Sequence, residues 1–422
     1  MHKINHANIK EWARNYDGPL FDGILCDPPY ELGFMGKSWD SSGIAFDKDM
    51  WADLLRILKP GGHLLAFSGS RTYHRMAVAI EDAGFEIRDM IEWVYGSGFP
   101  KSLNIGKAVD KIQGNEREVT GIKEQPLMTN HYGKGLHNER PIKELEETKG
   151  TSPYEGYGTA LKPAHEPCVL ARKPIEGTVA NNVLKHGTGG LNIDGTRVGT
   201  EVIKHNQDHK SLQKFKEQDG RTHKEVENPE PTYNTGRFPA NLIHDGSDEV
   251  EAVFPQTKSG GGNKANKQPK DRSSQVPSTI NGGDWGANSG SASRFFYCAK
   301  SSKSERNAGL EGFEEVIRND GRDENLASGN MPQNRSNNPK ANHHPTVKPL
   351  SLTKYLATLI KPPTGGRLLV PFSGSGSEMI GALQAGWEYV EGVELTEEYI
   401  PIAEARIKYW LEQAGKEQIS LL

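Results

Sequence analysis

An acid, two prolines and an aromatic residue end the first apolar run of the chain. The run covers residues 21–26, and Asp27, Pro28, Pro29 and Tyr30 follow it directly. Proline fixes its own φ and cannot donate to a strand ladder, so a strand must stop at the acid. Because ligands bind at the carboxyl ends of strands in open α/β sheets, the segment predicts a site with two hydrogen-bond acceptors beside a flat ring. Such a site suits a flat base with an exocyclic amino group, although an ordinary Pro-Pro turn fits these four residues equally well.

A second group of candidate residues lies near the end of the chain. Residues 366–377 have the pattern of a strand, a glycine-rich turn and a helix start, and Glu394 ends the next predicted strand. Glycines let a ligand approach the backbone, and the helix start offers free N–H groups. Glu394 follows Gly374 by 20 residues, the spacing at which an acid binds ribose hydroxyls in nucleotide-binding βαβ units. A P-loop is disfavoured because no Lys-Ser or Lys-Thr pair follows the glycines, and a dinucleotide site because the third glycine is missing.

Hydrophobic periodicity predicts alternating helices and strands around both groups. In chain order these are a helix over 4–16, a strand over 20–26, a helix over 50–58, a strand over 63–67, a helix over 70–83, a strand over 85–95, a helix over 351–360, a strand beginning at 366, a helix over 378–385 and a strand over 389–394. This alternation is typical of parallel strands covered by helices. The chain is therefore predicted to be α/β and doubly wound.

Composition and charge limit the class of protein. The chain has 422 residues with a formal net charge of −4, so no overall positive field indicates nucleic acid. The 47 glycines, 25 prolines and hydrophobic fraction of 34% indicate a compact core with long, loop-rich insertions. Cys26, Cys168 and Cys298 lack paired spacing, so neither a disulfide framework nor a zinc site is expected. Since no apolar run approaches membrane-spanning length and the first residues lack a signal-peptide core, we expect a protein of the reducing cytoplasm.

The middle of the chain has little periodicity. Residues 97–162 are predicted to form a loop-rich insertion, and order returns with the apolar segment 163–173. Residues 174–340 are the least regular part, and between 258 and 306 they contain nine Lys or Arg against three acids. A locally basic segment with interleaved aromatics is typical of a surface that follows phosphates, and a solvated charged face is the alternative.

Two motifs together resemble a single family. The Asp-Pro-Pro-Tyr segment at 27–30 resembles the catalytic motif of S-adenosylmethionine-dependent amino methyltransferases that act on DNA. Residues 371–376, preceded by His-Pro-Thr-x-Lys-Pro at 344–349, resemble the cofactor site of the same enzymes. The catalytic motif comes first and the cofactor motif last, which resembles the circularly permuted β group. The segments 236–244 and 294–300 resemble those of phage and prophage members.

The resemblance implies a fold and a division of the chain. The fold would be a Rossmann-like methyltransferase sheet, circularly permuted, with a large loop-rich target-recognition insertion. Its parts would be the catalytic half over 1–96, a loop-rich insertion over 97–162, the last strand of the catalytic half over 163–173, a target-recognition region over 174–340 and the cofactor half over 341–412. The strand over 163–173 would pair with the strand around 91–95. Within it, His165 and Glu166 are interpreted as structural or DNA-facing residues and not as metal ligands.

The resemblance also implies a role for each motif residue. Asp27, Pro28, Pro29 and Tyr30 would be catalytic, with Tyr30 stacking on a base that has left the duplex. S-adenosyl-L-methionine would be bound by Thr346, Lys348, Pro371, Phe372, Gly374, Ser375, Gly376, Ser377 and Glu394. Of these, Thr346 and Lys348 would reach the methionine carboxylate and Glu394 the ribose. DNA would be contacted by Arg237, Arg294, Lys300 and Lys303, and no metal would be required.

The expected activity is site-specific methylation of adenine N6 in double-stranded DNA. Asp-Pro-Pro-Tyr resembles the form common among adenine enzymes, whereas Ser-Pro-Pro-Tyr is commoner for cytosine N4. Cytosine-N4 methylation stays an alternative, since both bases present an amino group to the same acceptors. A non-catalytic DNA-binding relative is a second alternative, because Val370 replaces the acid that is usual before Pro-Phe. An enzyme acting on RNA or protein is a third. A bacterial or phage-infected cell, a homodimer and a cognate restriction endonuclease are compatible with the family.

Overall fold

The computed structural model describes residues 1–32, 38–98, 102–126, 142–205, 232–259, 288–299, 304–315 and 341–420. The strands are β1 (His2–His6), β2 (Phe21–Cys26), β3 (Leu58–Phe67), β4 (Glu86–Val94), β5 (Glu118–Pro126), β6 (Ile142–Lys149), β7 (His165–Arg172), β8 (Val198–His205), β9 (Thr232–Arg237), β10 (Leu242–His244), β11 (Gln256–Ser259), β12 (Asn288–Ser291), β13 (Tyr297–Cys298), β14 (Arg367–Val370) and β15 (Tyr389–Glu394). The helices are α1 (Ile9–Asn15), α2 (Lys48–Arg56), α3 (Tyr73–Asp82), α4 (Ile105–Gln113), α5 (Val179–His186), α6 (Asp248–Glu251), α7 (Leu350–Leu359), α8 (Ser377–Gln384) and α9 (Ile400–Ser420). None of the helices in these ranges is both long and apolar enough to cross a membrane.

One large sheet organises the chain. Its strand order is β1-β15-β14-β2-β3-β7-β4-β10-β13. Strand β7 runs antiparallel to β3 and β4, and the other neighbours in this sheet are parallel. Smaller antiparallel pairs join β5 to β6, β8 to β9 and β11 to β12. Because β2, β14 and β15 are parallel neighbours, their carboxyl ends meet at the same edge, where ligands bind in sheets of this kind.

Helices cover both faces of the sheet. Successive strand residues point to opposite faces, so Ile24 and Leu25 of β2 enter different apolar clusters. Ile24 packs in a cluster with Trp51 of α2 and Ile80 of α3, whereas Leu25 packs in a cluster with Leu356 of α7. All five side chains are fully buried. The predicted α/β class with a helix-covered parallel sheet is thereby confirmed.

The start of the first predicted helix is wrong. Residues His2–His6 form β1, an edge strand parallel to β15, and α1 begins only at Ile9. Backbone groups of β1 pair with residues 390–394, which lie at the other end of the chain. Strand pairing of that kind depends on the partner strand and overrides local periodicity.

The segment 97–162 is more regular than its composition predicts. It contains α4 and the antiparallel pair β5–β6, which runs from Glu118 opposite Lys149 to Pro126 opposite Ile142 with a register shift between Val119 and Gly121. Val119 and Ile122 of β5 are exposed. Exposed apolar residues of this kind give no alternation that identifies a strand from sequence.

Two strands from the predicted target-recognition region extend the main sheet. Strand β10 pairs with β4, and β13 pairs with β10. The sheet therefore continues into residues that the sequence placed outside both methyltransferase halves. The predicted pairing of the segment 163–173 is confirmed, since β7 lies beside β4 with Ile91 opposite Cys168 and Val94 opposite His165.

Gly381 sets the distance between α8 and α7. A Cβ at this position would lie 2.3 Å from Thr353 Oγ1 and 2.6 Å from Lys354 N. We expect Gly381→Val to lower the free energy of unfolding by about 3 kcal/mol, because the helices must separate to admit the side chain. Urea unfolding measures this loss. Gly190→Val is the control, since its Cβ would meet nothing within 4 Å, and an equal loss in both variants would contradict the packing argument.

Candidate active site

The carboxyl ends of three parallel strands open into one cavity. Asp27–Tyr30 follow β2, residues 371–377 follow β14, and Glu394 ends β15; these segments line a cavity of about 1350 Å³. Strands β2 and β14 are direct neighbours, with Ile24 opposite Leu369. The two motifs found at opposite ends of the sequence therefore meet at a single site.

Asp27 presents one occupied and one free acceptor. Its side chain is only 12% exposed. Oδ2 accepts a hydrogen bond of 2.6 Å from Lys348 Nζ, whereas Oδ1 is buried and has no hydrogen-bond partner among the described residues. Burial raises the pKa of Asp27; the Lys348 ammonium opposes the rise and the Glu166 carboxylate adds to it. A buried acceptor without a donor is costly, so Oδ1 is suited to bind an N–H group of a ligand.

Lys348 is the cation beside Asp27, and its side chain is 5% exposed. Nζ donates to Asp27 Oδ2 at 2.6 Å and to Tyr30 Oη at 3.0 Å, and it lies 3.2 Å from Glu166 Oε2. Burial acts to lower the pKa of Lys348, but the carboxylates of Asp27 and Glu166 hold that pKa above its ordinary value. The sequence assigned Lys348 to the methionine carboxylate of a cofactor. In the structure the ammonium contacts the catalytic motif, and Lys348 also lines the cavity, so its role toward a cofactor stays a prediction.

Tyr30 is fixed at both its hydroxyl and its backbone. Its hydroxyl donates a hydrogen bond of 2.9 Å to Glu166 Oε2, and Thr72 Oγ1 donates to its carbonyl at 2.7 Å. Tyr95 Oη lies 3.5 Å from the other carboxylate oxygen of Glu166. Burial, with the charges of Asp27 and Glu166, raises the pKa of Tyr30 well above its usual range, so its phenol stays a neutral donor. The half-buried ring remains in the wall of the cavity.

The glycine-rich turn and Glu394 are bonded to one another. Gly374 N donates to Glu394 Oε2 at 2.7 Å, and Thr396 N donates to Oε1 at 2.8 Å. Gly374 has a φ of 48°, and a Cβ there would lie 2.8 Å from His344 Nε2, so the turn requires glycine. Burial raises the pKa of Glu394. One acid thus fixes the turn and lines the cavity.

A buried carboxyl group near Asp27 was missed by the sequence. Glu378, in the first turn of α8, lines the cavity and is 5% exposed. Burial, and after it the Asp27 carboxylate, raises the pKa of Glu378 to about 7. Burial lowers the pKa of Arg406 to about 10, and this fully buried side chain donates to Ser375 Oγ at 3.0 Å and Ser377 Oγ at 3.2 Å. The sequence signal that could have identified Glu378 is its position directly after the glycine-rich turn.

The other predicted cofactor residues divide into two groups. Those that line the cavity are Thr346, Pro371, Phe372, Ser375 and Ser377. Gly376 is not in the cavity wall; with a φ of 82° it approaches α9, where a Cβ would lie 3.2 Å from Ala403 Cβ. Val370, the residue that replaces the usual acid, is fully buried in the apolar core.

The predicted DNA-contacting arginines lie together around one ring. Arg237 is 4.4 Å and Arg294 is 4.2 Å from the centroid of Phe295. Arg237 also forms an ion pair of 2.6 Å with Glu201, and Arg294 donates to the carbonyls of residues 290 and 291. Both guanidinium groups are therefore already engaged within the chain. Lys300 and Lys303 lie outside the described residues.

A family model described as DNA methylase, covering N6 and N4 methyltransferases, matches residues 21–405. The chain belongs to this family. Type II methyltransferase M.HindIII of Haemophilus influenzae is 26% identical over 148 residues, which are 34% of this chain and 37% of that protein. The match thus spans well under half of that curated relative.

Solved structures that are similar to this chain have low sequence identity to it. The M1.HpyAVI complex with S-adenosylmethionine is 13% identical with a TM-score of 0.37, covering 96% of this chain and 100% of that one. The PvuII DNA methyltransferase, titled cytosine-N4-specific, is 10% identical with a TM-score of 0.42, covering 96% and 86%. TTHA0409 of Thermus thermophilus with S-adenosylmethionine is 13% identical with a TM-score of 0.37, covering 97% and 94%. The assignment to the family rests on the family model.

Proposed function

We propose that this chain transfers a methyl group from S-adenosyl-L-methionine to the exocyclic amino group of a base in double-stranded DNA. The observation that carries the proposal is the free acceptor of Asp27. Oδ1 is buried and has no hydrogen-bond donor among the described side chains and backbone, and Asp27 and Pro28 both line the cavity. An acceptor at this place can take an N–H group of a base, and the chain belongs to a family described as DNA methylase.

The cofactor is S-adenosyl-L-methionine, and the residues around Glu394 fit it. When bound, this cofactor supplies an electrophilic methyl group on a sulfonium. The glycine turn at Gly374 leaves the backbone open to close approach, and a Cβ there would collide with His344. Glu394 offers carboxylate oxygens for ribose hydroxyls at the end of β15. The carboxyl group of Glu378, once it is deprotonated, adds negative charge to the cavity wall, which favours a cation.

The chemistry of the chain's own residues is to make a poor nucleophile reactive. The lone pair of an exocyclic amine is delocalised into the ring. By accepting both N–H groups, the Asp27 carboxylate and the Pro28 carbonyl favour a pyramidal nitrogen whose lone pair points at the methyl group. Methyl transfer from the bound cofactor would replace one amino N–H bond with an N–C bond, with the C–S electron pair kept by sulfur and the proton released to solvent. Asp27 also stabilises the positive charge that develops on nitrogen, and fixed alignment does the rest.

Tyr30 is the residue that would receive the base. A base must leave the duplex to reach a cavity of this depth. Stacking on an aromatic ring contributes about 1–3 kcal/mol per base and offsets part of the unpairing cost. The hydrogen bonds from Tyr30 to Glu166 and from Thr72 to Tyr30 hold the ring in place before the base arrives.

Adenine N6 is the proposed target, and cytosine N4 is the alternative. The resemblance of Asp-Pro-Pro-Tyr to the adenine form supports the first choice. The same acceptors can bind the amino group of cytosine, so cytosine N4 remains the alternative target. The position of Val370 in the apolar core, together with Asp27 in the cavity wall, supports the catalytic proposal over the non-catalytic alternative.

Finer features of the family are also proposed. The chain order, with β2 before β14 although the two are neighbours in the sheet, supports the permuted arrangement of the β group. We propose that the parts of 174–340 outside the main sheet recognise the target sequence and that Arg237 and Arg294, which lie over the Phe295 ring, contact DNA. A phage or prophage origin, a homodimer and a cognate restriction endonuclease stay proposals that the resemblance alone supports.

Cofactor binding is expected to release a proton near neutral pH. The pKa of Glu378 is raised to about 7, so a bound cation nearby lowers that pKa and expels the proton. Affinity therefore rises as the pH increases from about 6 to 8, and the calorimetric binding enthalpy depends on the buffer's ionisation enthalpy. Glu378→Gln should remove both effects, whereas exposed Glu388→Gln should keep them. A buffer-independent enthalpy at pH 7 in the unmodified protein would contradict this.

The test of the proposed function is product analysis. Purified protein is incubated with methyl-labelled S-adenosylmethionine and unmodified duplex DNA, with RNA and a protein mixture in parallel. We expect N6-methyladenine in the digested DNA and no label in RNA or protein. N4-methylcytosine would support the alternative base. No label in any nucleoside, under conditions in which the cofactor binds, would overturn the function.

A further inference from the structure

Glu166 is the least explained group at the site. It lies in β7, the strand inserted antiparallel between β3 and β4, and its side chain is 21% exposed. Its Oε2 accepts the Tyr30 hydroxyl at 2.9 Å and lies 3.2 Å from Lys348 Nζ. One carboxylate oxygen therefore binds both the ring that faces the cavity and the cation that neutralises Asp27.

Acceptors of three side chains surround the ammonium of Lys348. An ammonium has three donors and no acceptor. The three acceptors within reach belong to Asp27 at 2.6 Å, Tyr30 at 3.0 Å and Glu166 at 3.2 Å. Because the Tyr30 hydroxyl donates onward to Glu166, neither the tyrosine nor the lysine moves without breaking a contact to this carboxylate.

We propose that Glu166 is a positioning residue for methyl transfer, which holds Tyr30 in its stacking orientation and shares Lys348 with Asp27. The proposal rests on the proposed function. In the free protein, Glu166 and Asp27 both bind the Lys348 ammonium. The contact to Glu166 keeps the ammonium from moving closer to Asp27, so that Oδ1 stays available to the target amino group. Glu166 also lines the cavity, and in this proposal it acts through Tyr30 and Lys348.

Loss of the Glu166 charge shifts a titration in a defined direction. The titratable groups that act on Asp27 are Lys348, Glu166, Tyr30, Glu378, Cys26 and Cys168. The Glu166 carboxylate raises the pKa of Asp27 and the Lys348 ammonium lowers it. Without the Glu166 carboxylate, the Lys348 ammonium interacts with Asp27 alone, and the pKa of Asp27 falls. The acid limb of the pH–rate profile therefore moves to lower pH even though the rate decreases.

Glu166→Gln separates this role from general destabilisation. Glutamine keeps an acceptor for Tyr30 but removes the charge from Lys348. We expect single-turnover transfer to fall by roughly 10-fold to 100-fold, the size that small misplacement of reacting groups causes, with cofactor affinity within about twofold. The acid limb should shift to lower pH. Tyr30→Phe should lower the rate without that shift, and the double variant should be no worse than the poorer single variant, because both break one network.

Glu92→Gln is the matched control. Glu92 lies on β4 next to the position opposite Glu166, and its ion pair of 2.6 Å is with His165 and not with Lys348. We expect its rate constant and acid limb to match those of the unmodified protein. A Glu166→Gln variant with an unmoved acid limb and a rate within twofold of Glu92→Gln would overturn the positioning role.

A second measurement tests the role without any transfer activity. The carboxylates of Asp27 and Glu166 raise the pKa of Lys348. Amine-labelling kinetics of Lys348, followed by mass spectrometry at about pH 9, should therefore show several-fold faster labelling in Glu166→Gln than in Glu92→Gln. Equal labelling rates would overturn the charge-sharing role even if the unmodified protein transfers methyl groups. Faster labelling in a protein that transfers none would support the network and reject the proposed function.

Discussion

Replacing Asp27 with alanine is expected to lower methyl transfer by at least about 10²–10³-fold while cofactor affinity changes by less than about twofold. The variant loses the buried Oδ1 acceptor and the charge that stabilises positive nitrogen. Glu394 and the glycine turn are untouched, because their bonds at 2.7 Å and 2.8 Å join residues 374, 394 and 396. Single-turnover transfer and calorimetric cofactor binding measure the two effects on one preparation.

Asp22→Asn is the control for Asp27→Ala. Asp22 lies in β2, the strand that Asp27 follows; it is 3% exposed and accepts hydrogen bonds from Lys59 Nζ at 2.7 Å and Arg367 N at 2.8 Å. We expect it to lower the melting temperature and to leave the transfer rate constant within about twofold, because its contacts are near the other end of β2. An Asp27→Ala variant that retains more than about a tenth of the rate would show that the acceptor is not essential.

Lys348→Met is expected to have the second largest effect, on both activity and stability. Removing one partner of a buried ion pair leaves an uncompensated charge and costs about 3–5 kcal/mol. Lys348 lowers the pKa of Asp27, so its loss raises that pKa further above the unfolded value. The folded variant then binds the Asp27 proton more tightly than the unfolded chain does. The loss of stability is therefore largest at high pH and smallest at low pH, where Asp27 is protonated in both states.

The pH dependence of methyl transfer by Lys348→Met follows from the same rise in the pKa of Asp27. Fewer Asp27 carboxylates are ionised at a given pH, so the acid limb moves to higher pH, opposite to the shift expected for Glu166→Gln. Lys59→Met is the matched control, because Lys59 pairs with Asp22 at 2.7 Å away from the cavity. We expect it to destabilise the chain without moving the acid limb. A Lys348→Met profile that shifts to lower pH, or does not shift, would contradict the arrangement of charges.

The sequence predicted those elements whose causes are local. Proline stops β2 after Cys26, and the left-handed φ of Gly374 marks the turn after β14. An apolar run that ends in a carboxylate identifies Asp27 without knowledge of any neighbour. For the same reason, the strands and helices around both motifs lie close to their predicted positions, except that β3 begins at Leu58 and not at the predicted residue 63.

The remaining features depend on contacts between distant parts of the chain. Strand β1 exists because β15 offers it an edge, and β10 and β13 add to β4 in the same way. Glu166 faces Tyr30 only because β7 is inserted beside β3, and 136 residues separate the two in sequence. The family resemblance implies that Lys348 reaches the cofactor, but nothing near it in the sequence predicts that folding brings its ammonium to Asp27. No local sequence pattern predicts these contacts.

The structure of the complex with S-adenosylhomocysteine and a duplex that the transfer assay identifies as a substrate tests the central claim most directly. We predict an unpaired base stacked on Tyr30, with its amino nitrogen at about 2.7–3.2 Å from both Asp27 Oδ1 and the Pro28 carbonyl oxygen. A target base that remains in the duplex, or an amino group bound elsewhere while Asp27 Oδ1 takes a donor from the protein, would contradict it.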